Sequence, residues 1–288
     1  MTWQVLNPYD QECIGSVELV DWPQVDRWLD EARALHEDRQ ARLPAHKRIA
    51  ILQRASGLMR ERAETLAMQI ALEGGKPIVD ARVETSRAIQ SVELCIHELF
   101  ASGGREIPMD LTQAGAGRKA YTFREPIGPV VAISAFNHPL NLIAHQVGPA
   151  VASGCPVLVK PAKDTPLSCK SFVQILYEAG LNENWCRFVP CSDEVAEKMV
   201  TDPRTAFFSF IGSALFVYYN HFPEPDIVNA EPEAVFPYFI LTQVPAGVAG
   251  FVIAGLLAAA MSTLDSSINA SAATVTTDFY RRFRPQAG

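Results

Sequence analysis

The chain has 288 residues, enough for a sizeable core and about two domains; 48% of them are hydrophobic, 20% are charged, and the formal net charge is −7. That acidic balance, with no clustered basic face, argues against a nucleic-acid partner. The six cysteines (Cys13, Cys95, Cys155, Cys169, Cys186, Cys191) form no CxxC pair and no Cys/His grouping with metal spacing, so reduced, mostly buried thiols in a cytoplasmic protein are expected.

No basic segment followed by an apolar run opens the chain, so no signal peptide is expected from MTWQVLNPYDQECIG. Residues 21–103 are helical in pattern. Asp21 before Trp22 and Pro23 is a capping signal, and Val25, Trp28, Leu29, Ala32 and Leu35 then share one face. A second amphipathic run follows Pro44 and continues through LAMQIALEGGKP, with Gly74 and Gly75 suited to stop it. A third helix is predicted from about residue 78 to 100, ending at SGG.

The period then changes. RKAYTFREP alternates as a strand, and GPVVAIS (128–134) is an apolar, β-rich run suited to a sheet covered on both faces. LNLIAHQVGPAVASG reads as a helix, PVLVK (156–160) as a strand and SCKSFVQILYEAG as a helix; WCRFVPC, DEVAEKMV and TAFFSFI supply strand, helix and strand. This alternation predicts an α/β fold, a Rossmann-like parallel sheet after an N-terminal helical region, with ligands off the carboxyl ends of the strands.

A third region is different again. No Lys or Arg occurs between Arg204 and Arg281, and no charged residue of any kind from 234 to 264. Residues 245–264 (PAGVAGFVIAGLLAAAMSTL) are about long and apolar enough for a C-terminal transmembrane helix, the alternative being a buried helix of a soluble protein. Gly250, Ala254, Ala258 and Ser262 recur every fourth position, a small-residue stripe suited to helix packing in lipid, and Arg281, Arg282 and Arg284 mark a cytoplasmic end. NHFPEPDIVNAEPEAVFP is the best linker candidate.

The candidate chemistry lies at strand ends. In AISAFNHPLN the strand runs out at Ser134, and the Asn137 carboxamide in the following loop could donate to an oxyanion, although an asparagine standing alone would be a turn former. Lys160 ends the next strand, followed by a rigid Pro161 turn, Lys163 and a helix start at Ser168; a lysine there can reach ribose hydroxyls or a phosphate, or simply be solvated. Gly212 and Ser213 end the next strand. The glycine pair of QAGAGRK precedes a strand instead of following one and is rejected as a dinucleotide fingerprint.

Residues 5–214 closely resemble the aldehyde dehydrogenase superfamily in AYTFREPIGPVVAISAFNHPLN, VGPAVASGCPVLVKPAKDTPLS, EAGL and FFSFIGSA, together with LPAHKRIAILQRAS and LEGGKP upstream. The resemblance implies NAD or NADP on the Rossmann-like domain, an aldehyde-type substrate, a cysteine that forms a thiohemiacetal, hydride transfer, and hydrolysis by a glutamate-activated water. Position by position it makes Asn137 the oxyanion donor; Ser134, Ala135 and Phe136 a backbone wall near the cofactor; Lys160 the ribose ligand; and Ser213 a pyrophosphate contact. A homo-oligomer is compatible with it. Three departures stand out: Lys163 replaces the glutamate that often follows KPA, which permits NADP; the glycine-rich turn after the next strand is VPCSDEVAE, without glycine; and the second glycine expected after Gly212 is Val217.

The family's nucleophilic cysteine and general base come after this point, and nothing beyond Ala214 resembles them. Instead residues 231–283 are similar to the sodium:solute symporters, in the helix carrying AAAMSTLDSSIN. That resemblance implies sodium coordination at the positions of Ala259, Ser262 and Thr263, against serines that only pack helices. The expected organisation is therefore a truncated dehydrogenase-like domain (1–214), a junction (215–233) and a symporter-like segment (234–288). As an oxidoreductase it would be inactive alone, cytoplasmic over 1–214, with possible membrane insertion through 245–264.

Overall fold

The computed structural model describes residues 2–205 and Thr242. The chain divides into two units, Met1–Ser209 and Phe210–Gly288, and the described strands and sheet-covering helices all belong to the first.

The chain opens on an antiparallel hairpin of β1 (Thr2–Leu6) and β2 (Cys13–Glu18), which pattern reading does not anticipate. Only Val5 and Val17 are buried in it, so its alternation is faint. α1 (Trp22–Glu37) begins as expected. Asp21 accepts a hydrogen bond from the Gln24 amide at 3.1 Å, Pro23 sits in the first turn where its missing N–H costs nothing, and Val25, Leu29 and Ala32 face inward.

The run expected to continue past residue 62 is instead two helices, α2 (Ala45–Glu61) and α3 (Ala63–Gly74), broken at Arg62. No Gly or Pro marks the break. The Arg62 guanidinium reaches Glu178 at 2.7 Å, a contact far along the chain that no local pattern encodes. Gly75 ends α3 at φ +63°, in the left-handed region that a Cβ disfavours. α4 (Ile78–Ala101) is the long third helix, as expected.

β3 (Glu106–Ile107) and β4 (Ala120–Tyr121) pair over two residues only, correcting the longer strand expected across 118–126. Tyr121 and Phe123 are exposed, so the alternation there has no buried face to hold a longer ladder.

The α/β part matches expectation in kind. β5 (Val130–Ile133), β6 (Val157–Lys160) and β7 (Cys186–Phe188) form a parallel sheet in that order, with α5 (Asn141–Ser153) and α6 (Pro166–Glu178) as crossovers and α7 (Asp193–Thr201) after β7. α6 starts two residues earlier than Ser168, because Pro166 fits the first helical turn. Trp185 belongs to a short 3-10 turn, Glu183–Trp185, and β7 is correspondingly short. The strand expected over 205–211 falls outside the described residues except for Thr205.

Side chains alternate across this sheet, and both faces are covered. Ala132, Val157, Val159 and Cys186 pack with α2 to α6, while Val131, Leu158 and Val189 pack with α1 and α7. Fully burying a residue such as Phe172 or Leu158 stabilises the fold by about 1.5–3 kcal/mol relative to leaving it exposed. Arg204 binds the end of α7 to α1, donating to Asp26 and Asp202 at 2.6 Å and to Asp30 at 2.7 Å. These carboxylates hold the guanidinium pKa above its ordinary value. Among the described residues no helix is long and apolar enough to cross a membrane; residues 245–264 lie outside them.

Candidate functional site at the carboxyl ends of the sheet

Two adjacent strands end side by side. The β5–β6 ladder closes with the Ser134 amide donating to the Lys160 carbonyl at 2.9 Å, so the loops after both strands leave the sheet together. The outer edge of β5 is closed by a side chain: the Gln146 carboxamide donates to the Ile133 carbonyl and accepts from its amide, both at 2.9 Å. The last rung before the loop is therefore satisfied on both sides.

The loop from Ser134 to Leu140 is then gripped through its backbone. Thr165 Oγ1 donates to the Phe136 carbonyl at 3.3 Å, which ties the loop after β6 to the loop after β5. Lys76 Nζ donates to the Asn137 carbonyl at 2.6 Å. Glu84 accepts the amides of Leu140 and Asn141 at 3.0 and 3.1 Å, capping α5, whose own N-terminal residue Leu140 has no side chain to do so. Phe136 is largely exposed and Asn137 half-buried at the loop's crest.

The charge that holds this loop is buried. Glu84 is 1% exposed and pairs with Lys76, and His138 Nδ1 lies 3.3 Å from Glu84 and 3.0 Å from Lys76 Nζ. Burial works against the Glu84 carboxylate. The hydrogen bond with His138, the Lys76 charge and the α5 amide outweigh that effect and hold its pKa below the ordinary range. Sequence reading missed Lys76 and Glu84. A signal existed: Glu84 falls among Ala81, Ala88 and Val92 on the apolar face of α4, where a carboxylate must have donors.

A second long-range cap sits beside the β6 loop. Glu73 of α3 accepts the amides of Leu167 and Ser168 at 2.7 and 2.9 Å, at the start of α6, where Thr165 makes no side-chain cap. Burial pushes this carboxyl up to about 7.

Lys160 ends β6 with its side chain 12% exposed and donates to Asp193 Oδ1 at 3.3 Å; Lys163 is exposed in the loop that follows. After β7, Ser192 caps α7 by accepting the Val195 amide at 3.4 Å, and Asp193 and Glu194 fill its first turn. Two carboxylates at that helix start oppose a bound phosphate there. The cationic and hydroxyl groups at the β5 and β6 ends suit the ribose part of a nucleotide.

The structure thus places Ser134, Ala135, Phe136 and Asn137 in the loop after β5, beside Lys160 at the end of β6, with Lys163 exposed in the loop that follows β6. Gly212 and Ser213 lie outside the described residues, as do Ala259, Ser262, Thr263 and the sodium ion expected there. Among the described residues no group of three or more His, Cys, Asp or Glu could hold a metal. A groove of about 530 Å³, lined by Ile14, Glu64, Met68, Leu72 and Leu167 among others, includes none of these candidate residues.

All six cysteines are among the described residues, and five are buried. Burial pushes the thiols of Cys95 and Cys191 up to about 11 and Cys186 to about 12, and Cys169 is raised well above its ordinary value. Those four are not poised as thiolates at neutral pH.

The profile of the aldehyde dehydrogenase family matches residues 1–217. This chain belongs to the aldehyde dehydrogenase family. The profile of the sodium:solute symporter family matches residues 208–288. An aldehyde-dehydrogenase-like protein of Sinorhizobium fredii is 36% identical over 208 residues, covering 72% of this chain and 40% of that protein. Aldehyde dehydrogenase 21 from Physcomitrella patens, solved with the product succinate, superposes with a TM-score of 0.68 at 33% identity, covering 71% of this chain and 43% of that one. Glyceraldehyde-3-phosphate dehydrogenase of Methanocaldococcus jannaschii, complexed with NADP, does so with a TM-score of 0.65 at 30% identity, covering 70% and 44%. The chain therefore spans less than half the length of these aldehyde dehydrogenases.

Proposed function

We propose that residues 1–217 form a nicotinamide-dinucleotide-binding module of aldehyde dehydrogenase type, and that this chain does not oxidise an aldehyde by itself. The observation that carries the binding half is the juxtaposition of Ser134 and Lys160 at the ends of two parallel strands, with Lys163 in the next loop. Open α/β sheets bind ligands in that place, and the groups present suit ribose hydroxyls. Relatives of the same fold solved with NADP support the same reading. When bound, the nicotinamide would supply a hydride acceptor. Asn137, held by the Lys76 contact to its carbonyl, is assigned the oxyanion-donor role.

The other half of the proposal rests on the cysteines. Covalent oxidation of an aldehyde needs an activated thiolate, and the family's nucleophile follows the region matched here. Thermal shift with NAD and NADP tests binding: one or both should stabilise the protein, and Lys160→Ala should weaken the affinity by about tenfold, the scale of one charge-assisted hydrogen bond, with a correspondingly smaller shift at the same ligand concentration. No shift with either dinucleotide refutes the binding reading. Appearance of NAD(P)H with a panel of aldehydes refutes the incompleteness.

The symporter match supports a second reading, in which residues 245–264 tether this module to a membrane. Recovery of the protein wholly in the supernatant after lysis and high-speed centrifugation overturns it.

A further inference from the structure

Cofactor choice in such a site turns on what faces the ribose 2′ position, where a carboxylate favours a free hydroxyl and a cation accommodates a phosphate. Lys163 offers a cation. The loop after β7, by contrast, brings up Asp193, whose carboxylate lies 3.3 Å from Lys160 Nζ. Its side chain is fully exposed, so it is anchored by no packing, and Lys160 is the group it is paired with. Both charges also act on the Cys191 thiol, Lys160 lowering and Asp193 raising its pKa against the larger effect of burial, which places them on one small patch.

We infer that Asp193 is the residue that discriminates between NAD and NADP in this chain, by occupying Lys160 and by opposing a 2′-phosphate beside it. A 2′-phosphate held at Lys160 would bring one to two negative charges to the ammonium that Asp193 already pairs at 3.3 Å, whereas a 2′-hydroxyl could donate to that carboxylate. Glu194, one residue on, is engaged elsewhere, accepting from Lys198 at 2.8 Å.

The inference rests on the dinucleotide-binding reading, and the experiment separates the two. Dissociation constants for NAD and NADP are measured by calorimetry on the full chain, its Asp193→Asn variant and its Glu194→Gln variant. Asp193→Asn should move the affinity ratio toward NADP by about fivefold to tenfold at low salt, the scale of one charge pair at contact distance in water, and less at high salt. Glu194→Gln should leave the ratio within about twofold, because that carboxylate is more distant and already paired. A ratio unchanged in Asp193→Asn, with both dinucleotides still bound, overturns the inference and leaves the binding reading standing. Equal shifts in the two variants also overturn it, since a general field is then responsible. Failure of either dinucleotide to bind the unaltered chain overturns both.

Discussion

Replacing Lys76 with Met removes an ammonium charge from a buried carboxylate while keeping most of the stem. Glu84 would retain the Leu140 and Asn141 amides at 3.0 and 3.1 Å and His138 at 3.3 Å, but not the lysine charge. Breaking a buried ion pair by removing one partner costs about 3–5 kcal/mol. The lower end applies here, because Lys76 is 16% exposed and His138 remains 3.3 Å from the carboxylate. For a chain of this size about 3 kcal/mol corresponds to a Tm lower by roughly 6–12 °C. The pH dependence sharpens the test. A glutamate held below its ordinary value of 4.5 adds stability above that pH and loses it as pH falls through its own lower pKa. Without Lys76, burial should raise the Glu84 pKa, so the variant sheds its unpaired charge in mild acid and the stability gap to wild type narrows as pH drops from 7 toward 5. Urea unfolding at several pH values measures this. A gap under about 0.5 kcal/mol at pH 7, or one that does not narrow in acid, refutes the buried-pair reading.

Glu73 has the opposite sign: its folded pKa of about 7 lies above the ordinary 4.5, so its contribution is full below the latter and lost as pH rises through the former. Relative to Glu73→Gln, wild type should lose on the order of 2–3 kcal/mol between pH 5 and 8, and parallel stability curves for the two proteins would contradict this. Gly75→Ala forces a Cβ into a φ of +63° and against Pro8 at 3.4 Å, and should lower stability by about 1–2 kcal/mol in denaturant titration; a neutral result would show that α3 ends elsewhere.

Elements with a local cause were legible in the sequence. α1 has its cap at Asp21, α3 its left-handed glycine, and β5 and β6 are apolar runs because helices cover both faces of their sheet. The Arg62 break and the β1–β2 hairpin were not, since no Gly, Pro or side-chain cap marks the first and the second buries little more than two valines. At the candidate site, strand-end logic singled out Ser134, Asn137 and Lys160, which the structure places at or just after the ends of β5 and β6. It could not find Lys76, Glu84 or Asp193, because what matters about each is a partner more than 30 positions away or a backbone atom in another loop. Glu73 and Glu84 were nonetheless marked: both sit on the apolar face of an amphipathic helix, where an acid without a partner would be too costly.

The two long-range caps also bear on the order in which the chain can assemble. α5 and α6 lack side-chain caps of their own, and their first amides wait for glutamates 56 to 95 positions earlier in the chain. Short helices are marginal in isolation, so these two crossovers should firm up only after α3 and α4 have docked beside them. The α/β layer would then be a late-folding guest of the helical region, and excising residues 104–205 as a minimal α/β fragment would remove the groups that start its helices.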